Sequence, residues 1–309
     1  MASLSNTVLI TGAHSFTGRH LRAHLQAAGY RVIGLVRDPA PGADEECADL
    51  ALPEQLRAAF VAVQPDYIIH LAAITFVPHG DPLEIYQTNL FGTLNLLDAI
   101  LTVGLQPHKI ILASSANVYG NPPVEVIDET LCPAPVNHYA MSKLAMEHLA
   151  HTYQDRLPIL MTRPFNYTGP GQDERFLLPK IVGCYRRRES FIELGNLDVI
   201  RDFSDVRFVV EAYRRLLDSP IRNETVNLCS GQGIALGEVI TTMNRIAGYA
   251  IEVRVNPAFV RANEVHRLIG SNRKLLALIG EQPDYSLTAI LDSLYQMPIS
   301  PGMNGQRHP

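Results

Sequence analysis

The stretch Thr7–Gly18, TVLITGAHSFTG, decides the fold. Its first five residues are apolar or β-branched, as in a buried strand, and Gly12 opens a turn before a helical pattern assigned to Arg19–Ala28. Glycines let the backbone approach a pyrophosphate closely, and the free N–H groups of a helix N-terminus attract it. The stretch therefore predicts a dinucleotide-binding turn. Ser15 stands where a middle glycine is commonest, so we expect a slightly reshaped cradle.

Strands and helices continue to alternate after this turn as far as Arg163-Pro164. The strands assigned in this part of the chain are Thr7–Thr11, Arg31–Val36, Asp66–Ala73, Lys109–Ser114 and Leu157–Thr162. Such alternation predicts an α/β fold with a doubly wound, Rossmann-like parallel sheet. Further helices are predicted over Pro82–Val103, Tyr139–Tyr153, Phe176–Arg188, Val206–Asp218, Leu236–Ala247, Ser271–Ile279 and Leu287–Gln296.

Proline and glycine cluster beyond Arg163-Pro164, and short helices alternate with brief strands. We therefore predict a dinucleotide-binding domain over residues 1–165 and a smaller substrate-binding α/β lobe over 166–297. The tail over 298–309 is rich in Pro, Gly, Asn and His, which predicts disorder.

Composition places the chain among ordinary globular proteins. Its 309 residues are 47% hydrophobic and 18% charged, which suits a full core. The net charge of −5 provides no broad basic face for nucleic acid or an anionic membrane, so a small-molecule partner is expected. Four separated cysteines without a metal-type grouping predict reduced thiols, no metal site and a cytoplasmic location. We find no leader pattern and no apolar run long enough to span a bilayer.

The end of the second predicted strand bears on the cofactor. Arg37 stands about twenty residues past the glycine turn, where an acidic residue would bind the ribose 2′-hydroxyl of NAD; an arginine suits a 2′-phosphate. NADP(H) is therefore favoured, while Asp38 beside it keeps NAD(H) open. Asp49-Leu50 follows a short segment, and an acid there can bind the adenine amino group in this type of fold.

Tyr139 and Lys143, in the stretch YAMSK, lie one helical turn apart on the same helix face. A nearby cation lowers the pKa of a tyrosine, which can then exchange a proton with a carbonyl or alcohol. Taken alone, the same spacing also fits an ordinary surface pair.

His70 is interpreted as a packed core or strand-end histidine, and Asn89, inside a helical pattern, is expected to have a hydrogen-bonding role.

Three features stand in the order and spacing of the extended short-chain dehydrogenase/reductase family: Thr11-Gly12…Gly18, Ser115 and Tyr139…Lys143. The chain resembles that family along nearly its whole length. Later motifs resemble its nucleotide-sugar enzymes: Arg163–Gly171 (RPFNYTGPG), Gly195–Leu197 (GNL), Arg201–Val206 (RDFSDV) and Arg261–Val265 (RANEV). The chain is most similar to the GDP-mannose branch, which holds GDP-mannose 4,6-dehydratases and GDP-6-deoxy-4-keto-mannose reductases.

The resemblance implies a role for each matching residue. Ser115 would hydrogen-bond the sugar C4 oxygen, Tyr139 would exchange its proton, and Lys143 would bind the nicotinamide ribose while lowering the tyrosine pKa. Cofactor contacts are implied at Gly12, His14, Ser15, Phe16, Gly18, Arg37, Asp49, Leu50, Leu71, Ala72, Ala73, Asn89, Tyr139 and Lys143. Substrate contacts are implied at Thr75, Val77, Ser115, Asn117, Asn166, Lys180, Arg201, Arg261 and Glu264.

Alternatives to these contacts stay open at single positions. Arginine forks suit a diphosphate and a carboxylate suits ribose hydroxyls, but each arginine could instead form a structural ion pair, as Arg201 could with Asp202. The family more often has proline at the position of Ala262, which leaves the shape of that loop open.

The residue at position 117, an asparagine, distinguishes a reductase of this branch from a 4,6-dehydratase. A 4,6-dehydratase carries a glutamate two residues after the catalytic serine or threonine, to move protons at C5 and C6, and an asparagine amide cannot do this. We therefore predict an NAD(P)H-dependent reductase that converts the C4 ketone of GDP-4-keto-6-deoxy-D-mannose to GDP-D-rhamnose. The resemblance places that product in the synthesis of bacterial lipopolysaccharide or another surface polysaccharide.

Other functions remain open beside this one. A 4,6-dehydratase and a 4-epimerase with tightly bound NAD belong to the same family, and Arg37, if it selects NADPH, favours the reductase. A GDP-fucose-type epimerase-reductase is disfavoured because no cysteine lies between Ser115 and Gly120. A non-catalytic NAD(P)-binding protein is disfavoured because the serine, tyrosine and lysine are all present. The resemblance also implies a homodimer formed by the helices that contain Pro82–Val103 and Asn137–Tyr153.

Overall fold

The computed structural model describes residues 6–37, 42–75, 81–259, 265–281, 283 and 285–297. The strands in chain order are β1 (Thr7–Thr11), β2 (Arg31–Val36), β3 (Glu45–Cys47), β4 (Tyr67–His70), β5 (Lys109–Ala113), β6 (Ile159–Pro164), β7 (Asn166–Thr168), β8 (Phe191–Leu194), β9 (Ile200–Asp205), β10 (Glu224–Leu228), β11 (Gly233–Ala235), β12 (Glu252–Val255) and β13 (Arg267–Leu268). The α-helices are α1 (Phe16–Ala27), α2 (Pro53–Val63), α3 (Pro82–Tyr86), α4 (Gly92–Thr102), α5 (His138–His151), α6 (Leu177–Arg186), α7 (Val206–Asp218), α8 (Leu236–Ala247), α9 (Arg273–Ile279) and α10 (Leu287–Tyr295).

A seven-stranded parallel sheet forms the centre of the molecule, in the order β10-β6-β5-β4-β1-β2-β3. The strand order reverses between β1 and β4, and in open parallel sheets ligands bind at the carboxyl ends of the strands beside such a reversal. The predicted doubly wound α/β sheet is confirmed.

Two apolar layers cover the sheet because successive strand side chains point to opposite faces. Leu9 packs with the buried side chains of α2, α4 and α5. Its neighbours Val8 and Ile10 pack on the other face, with those of α1, α7 and α9. Apolar side chains thus cover both faces of the sheet, which supports the polar residues at its carboxyl edge.

The segment that contains α7 and β10 returns to the main sheet after the smaller lobe has begun. Strand β10 pairs in parallel with β6, and α7 packs against α1. The chain thus crosses the boundary predicted at residue 165 a second time. The division into two domains remains a proposal, and Val206–Leu228 lies with the first of them.

The C-terminal lobe has its own small sheets and its own apolar core. Strand β9 pairs with β7, β11 and β13, and β8 pairs with β12. Helices α6, α8 and α10 pack together over them. This lobe stands at the carboxyl edge of the main sheet, where its strand β7 follows directly after β6.

The predicted helix over Pro82–Val103 is interrupted, because residues Gln87–Phe91 form a π-helical turn between α3 and α4. Helix α1 begins earlier than predicted, at Phe16, because the Ser15 hydroxyl caps it. Among the described residues, no helix is both long and apolar enough to cross a membrane. The tail predicted over 298–309 lies outside the described residues.

Candidate active site

The carboxyl edge of the main sheet opens into a large cavity of about 2070 Å³, lined by residues of both lobes. The predicted site residues that line it are Gly12, His14, Ser15, Phe16, Arg37, Asp49, Leu50, Leu71, Ala72, Ala73, Thr75, Ser115, Asn117, Tyr139, Lys143, Asn166, Lys180 and Arg201. Gly18 and Asn89 are not part of this lining. Val77, Arg261 and Glu264 lie outside the described residues.

The glycine turn is tight because two stretches of backbone meet there. Gly12 has a φ of +70°, and a Cβ at this position would lie 2.9 Å from the Ala72 nitrogen. The Ser15 hydroxyl accepts a hydrogen bond from Gly18 N–H at 3.1 Å, which satisfies a donor at the helix end. A Cβ on Gly18 would lie 2.2 Å from the Gly12 carbonyl oxygen. Gly18 therefore packs the helix against the turn, and Ser15 serves as a cap.

Ser115 and Tyr139 come from two local structures that meet at the sheet edge. The Ser115 hydroxyl accepts a hydrogen bond from Asn117 N–H at 3.2 Å, at the start of the 3₁₀ turn Ala116–Tyr119. Helix α5 begins after Asn137, whose side chain accepts from a backbone N–H of the first turn. Tyr139 therefore lies in the first turn of α5, and its phenol also hydrogen-bonds to Ser115.

Burial dominates the electrostatics of the pair. It raises the pKa of Tyr139 to about 12, although the hydrogen bond from Ser115 opposes the shift. It also lowers the pKa of Lys143 to about 8, although Glu147 opposes that shift. Lys143 Nζ donates to the Ala113 carbonyl oxygen at 2.7 Å. The expected lowering of the tyrosine pKa is therefore wrong here, because removal from water is the largest cause of the shift and raises the pKa.

Asn89 is buried and does not line the cavity, but its side chain is hydrogen-bonded to Ile74, which does. Its side-chain oxygen accepts from Ile74 N–H at 2.8 Å, and its amide nitrogen donates to the Ile74 carbonyl at 3.1 Å and to Ser142 Oγ at 3.0 Å. Ser142 in turn donates to the Tyr139 carbonyl oxygen at 2.7 Å. The hydrogen-bonding role expected for Asn89 is confirmed, whereas a contact with the cofactor stays a prediction.

A buried ion pair supports helix α5 near Lys143. Arg163 makes a two-pronged contact with Glu147, at 2.9 Å from Nε and 2.6 Å from Nη2. Its remaining nitrogen donates to the Tyr119 hydroxyl at 2.9 Å, and that hydroxyl donates to Asn227 at 2.8 Å. The sequence placed Arg163 in a motif but gave it no partner. A glutamate on the Lys143 face of α5 was the available signal.

The end of the cavity near Arg37 contains a second charged cluster. Glu45 accepts from His14 Nε2 and from Arg22, both at 2.7 Å, and from Gly42 N–H at 2.9 Å. These contacts, the Gly42 N–H first, lower the pKa of Glu45 to about 2. The carboxylate therefore ties the glycine turn to the connection between β2 and β3.

Helix α1 is hydrogen-bonded to the loop after β7, across the cavity wall. Arg19 donates to the His14 carbonyl at 2.6 Å and to the Gly171 carbonyl at 3.2 Å. Thr17 and Tyr167 share a hydrogen bond between hydroxyls at 2.7 Å. The two lobes are thus joined beside the glycine turn, by the side chains of Thr17, Arg19 and Tyr167, to which the sequence analysis gave no role.

Lys180 and Arg201 extend the cavity into the C-terminal lobe. Lys180 Nζ lies 3.1 Å from the Glu193 carbonyl and 4.5 Å from the centre of the Phe259 ring. Arg201 donates to the carbonyls of Ile200 and His266, at 3.0 and 3.2 Å. Both cations line the cavity, so an anionic ligand can reach them.

Known proteins match the chain over almost its whole length. A family model described as GDP-mannose 4,6 dehydratase matches residues 9–294. The chain is 36% identical to the GDP-6-deoxy-D-talose 4-dehydrogenase of Aggregatibacter actinomycetemcomitans, over 94% of this chain and 97% of that protein. It is 35% identical to the GDP-6-deoxy-D-mannose reductase of Pseudomonas aeruginosa, over 94% and 96%. The structure of RMD from Pseudomonas aeruginosa complexed with NADPH has a TM-score of 0.84 at 34% identity, and the match covers 94% of this chain and 98% of that one.

Sheet, site and relatives together define an oxidoreductase of the extended short-chain dehydrogenase/reductase class that acts on nucleotide sugars. Within this class the chain belongs to the GDP-mannose 4,6 dehydratase family, whose model spans nearly all of it. Family membership leaves the reaction open, because the two curated relatives are named a dehydrogenase and a reductase.

Proposed function

We propose that the protein uses NADPH to reduce the C4 ketone of GDP-4-keto-6-deoxy-D-mannose. The observation that carries this proposal is the turn Ala116–Tyr119, which follows Ser115 and contains Asn117 but no carboxylate. An elimination across C5 and C6 needs an acid–base group there, whereas reduction of a ketone needs only a hydride and one proton. The two curated relatives, both named for GDP-6-deoxy sugars, support the same substrate class.

The state of Tyr139 also supports reduction. With a pKa of about 12, its phenol is protonated at neutral pH and can give a proton to an alkoxide, which is the stronger base.

The proposed chemistry divides among three side chains. When bound, NADPH would supply the hydride for the new C–H bond at C4. Ser115 donates a hydrogen bond to the C4 oxygen, and Tyr139 transfers its proton to that oxygen as negative charge develops. Lys143, a cation at neutral pH, is held near the same cavity wall and stabilises the phenolate that remains. Proton uptake from water then restores the tyrosine.

The structure suits a 2′-phosphorylated cofactor. Arg37 follows β2 and lines the same cavity as Gly12 and Ser15 of the glycine turn. Guanidinium groups bind phosphates through paired N–H donors. The NADPH found in the Pseudomonas aeruginosa structure supports this preference.

The configuration at C4 distinguishes two products. Hydride delivery to one face of the ketone yields GDP-6-deoxy-D-mannose, which is GDP-D-rhamnose, and delivery to the other face yields GDP-6-deoxy-D-talose. The named relatives include one enzyme for each sugar, at nearly equal identity. We propose GDP-D-rhamnose, with the talose sugar as the second candidate.

The test supplies the purified protein with GDP-mannose or with GDP-4-keto-6-deoxy-D-mannose, each with NADPH or NADH. We expect loss of the 340 nm absorbance of about one equivalent of NADPH per keto-sugar reduced, and no turnover of GDP-mannose. NMR of the product assigns its C4 configuration. Conversion of GDP-mannose to the keto-sugar without added reductant would show a dehydratase and contradict the proposal.

We also propose that the protein forms a homodimer through α3, α5 and the π-helical turn. Leu83, Phe91 and Met141 are exposed on these adjacent elements, at 65%, 45% and 43%. Met141→Glu would bury a charge in the interface, so we expect it to sediment as a monomer in analytical ultracentrifugation. Val61→Glu, at an exposed residue of α2, is the control. Wild-type protein that sediments as a monomer would contradict the proposal.

A further inference from the structure

His70 ends β4 as a buried polar residue, 2% exposed, between two buried threonines. Its Nδ1 lies 2.7 Å from Thr11 Oγ1, and its Nε2 lies 2.9 Å from Thr93 Oγ1. Thr11 ends β1, one residue before Gly12, and Thr93 lies in α4. One imidazole thus joins the glycine turn to the helix that follows the π-helical turn.

The hydrogen-bond partners determine which atom of each pair is the donor. The Thr93 hydroxyl has a single hydrogen, and it donates to the Asn89 carbonyl oxygen at 2.9 Å. Thr93 can therefore only accept from His70, so the imidazole carries its hydrogen on Nε2. Nδ1 of the neutral ring must then accept from Thr11, whose oxygen accepts from Ala72 N–H at 3.1 Å. Each donor and acceptor in the chain has a partner only when His70 is neutral.

Burial agrees with this assignment. It lowers the pKa of His70 to about 3, and the charge of Lys143 acts in the same direction. A second proton on the ring would face the Thr11 oxygen and leave the Thr11 hydrogen without its acceptor. His70 is thus a neutral connector over the whole physiological range.

The two ends of this hydrogen-bond chain lead to residues that line the cavity, Ala72 at one end and Tyr139 at the other. On one side, Thr11 holds Ala72 N–H and so places the loop after β4 against the glycine turn. On the other side, Thr93 holds the backbone of Asn89. The Asn89 side chain clamps Ile74 and, through Ser142, the backbone of Tyr139.

We propose that His70 is a positioning residue, which sets the cofactor-facing loop Leu71–Thr75 and the Tyr139 helix turn relative to the glycine turn. The inference rests on the proposed NADPH site. It assigns to His70 an effect on the binding of the nicotinamide nucleotide and on turnover, and none on the binding of the GDP portion, whose cationic residues lie in the other lobe.

Thr93→Val tests this role, because Thr93 is buried and does not line the cavity. The variant leaves the His70 Nε2–H without an acceptor. We expect the Kd for NADPH, followed by its own fluorescence, to rise about fivefold or more, while the Kd for GDP stays within about twofold. Thr7→Val, a buried threonine at the opposite end of β1, is the matched control and should leave both constants unchanged.

Two further measurements separate positioning from simple core packing. His70→Gln keeps an N–H donor near the place of Nε2, so its NADPH affinity should lie between those of wild type and His70→Phe. In the wild-type protein without ligands, ¹⁵N-labelled His70 should show a single neutral Nε2–H tautomer from about pH 5 to about pH 8.

An unchanged Kd for NADPH in Thr93→Val, despite a lower melting temperature, would overturn the inference and leave His70 as a core residue. Protonation of His70 near the ordinary histidine pKa would also overturn it. Failure of the wild-type protein to bind NADPH would contradict the proposed function. If the wild-type protein binds NADPH and Thr93→Val binds it as tightly as Thr7→Val does, only the role of His70 would be contradicted.

Discussion

Tyr139→Phe is expected to lower kcat for reduction of the keto-sugar by about 10²- to 10⁴-fold, the usual contribution of a positioned proton donor. Phenylalanine keeps the buried ring of Tyr139, so the cavity wall is preserved and only the transferable proton is lost. We expect the Kd values for NADPH and for the GDP-sugar to stay close to the wild-type values. The measurement is steady-state NADPH oxidation, with ligand binding measured separately.

Tyr153→Phe is the matched control, because Tyr153 follows the same helix and its hydroxyl donates to Asp98 at 2.6 Å, away from the cavity. It should keep kcat within about twofold. Because the pKa of Tyr139 is about 12, the wild-type donor remains protonated from about pH 6 to about pH 9, and its ionisation should not reduce the rate there. A Tyr139→Phe enzyme with nearly wild-type turnover would show that another group delivers the proton.

Glu147→Gln is expected to lower the free energy of unfolding by about 3–5 kcal/mol, because it leaves the buried Arg163 guanidinium without its counter-charge. Both side chains are nearly inaccessible, at 8% for Arg163 and 3% for Glu147, so water cannot compensate. Glu147 also holds up the pKa of Lys143, and its removal should move that pKa below about 8. The alkaline decline of activity that depends on the Lys143 cation should then begin at lower pH.

Denaturant unfolding of the single variant and of the double variant Glu147→Gln with Arg163→Met measures this effect. The double variant removes both charges, so it should recover a large part of the lost stability. Tyr119 loses a hydrogen-bond donor in the double variant, which limits the recovery. A loss below about 1 kcal/mol in Glu147→Gln would mean that the pair does not depend on its charge.

Features formed by residues close together in the sequence could be predicted from the sequence alone. The glycine turn follows from a strand, a break and a helix within Thr7–Gly18, and Tyr139 and Lys143 share a helix face because of their spacing. The doubly wound sheet follows from repetition of the same strand–helix unit.

Contacts between distant segments could not be predicted in this way. Nothing near Arg163 in sequence identifies Glu147 as its partner, and the threonines that orient His70 lie on other elements. The pKa of Tyr139 depends on how completely the fold removes it from water, which a helical spacing does not encode. The π-helical turn over Gln87–Phe91 was also missed, because the apolar pattern over Pro82–Val103 was interpreted as one continuous helix.

The return of α7 and β10 to the main sheet has a consequence for how the chain is made. A ribosome releases β6 long before β10, so the newly made sheet first presents β6 as an open edge, and the face later covered by α7 is bare. The nucleotide-binding half therefore cannot complete its fold until Leu228 has left the exit tunnel. During that interval the unpaired edge of β6 is open to pairing with a strand of another chain.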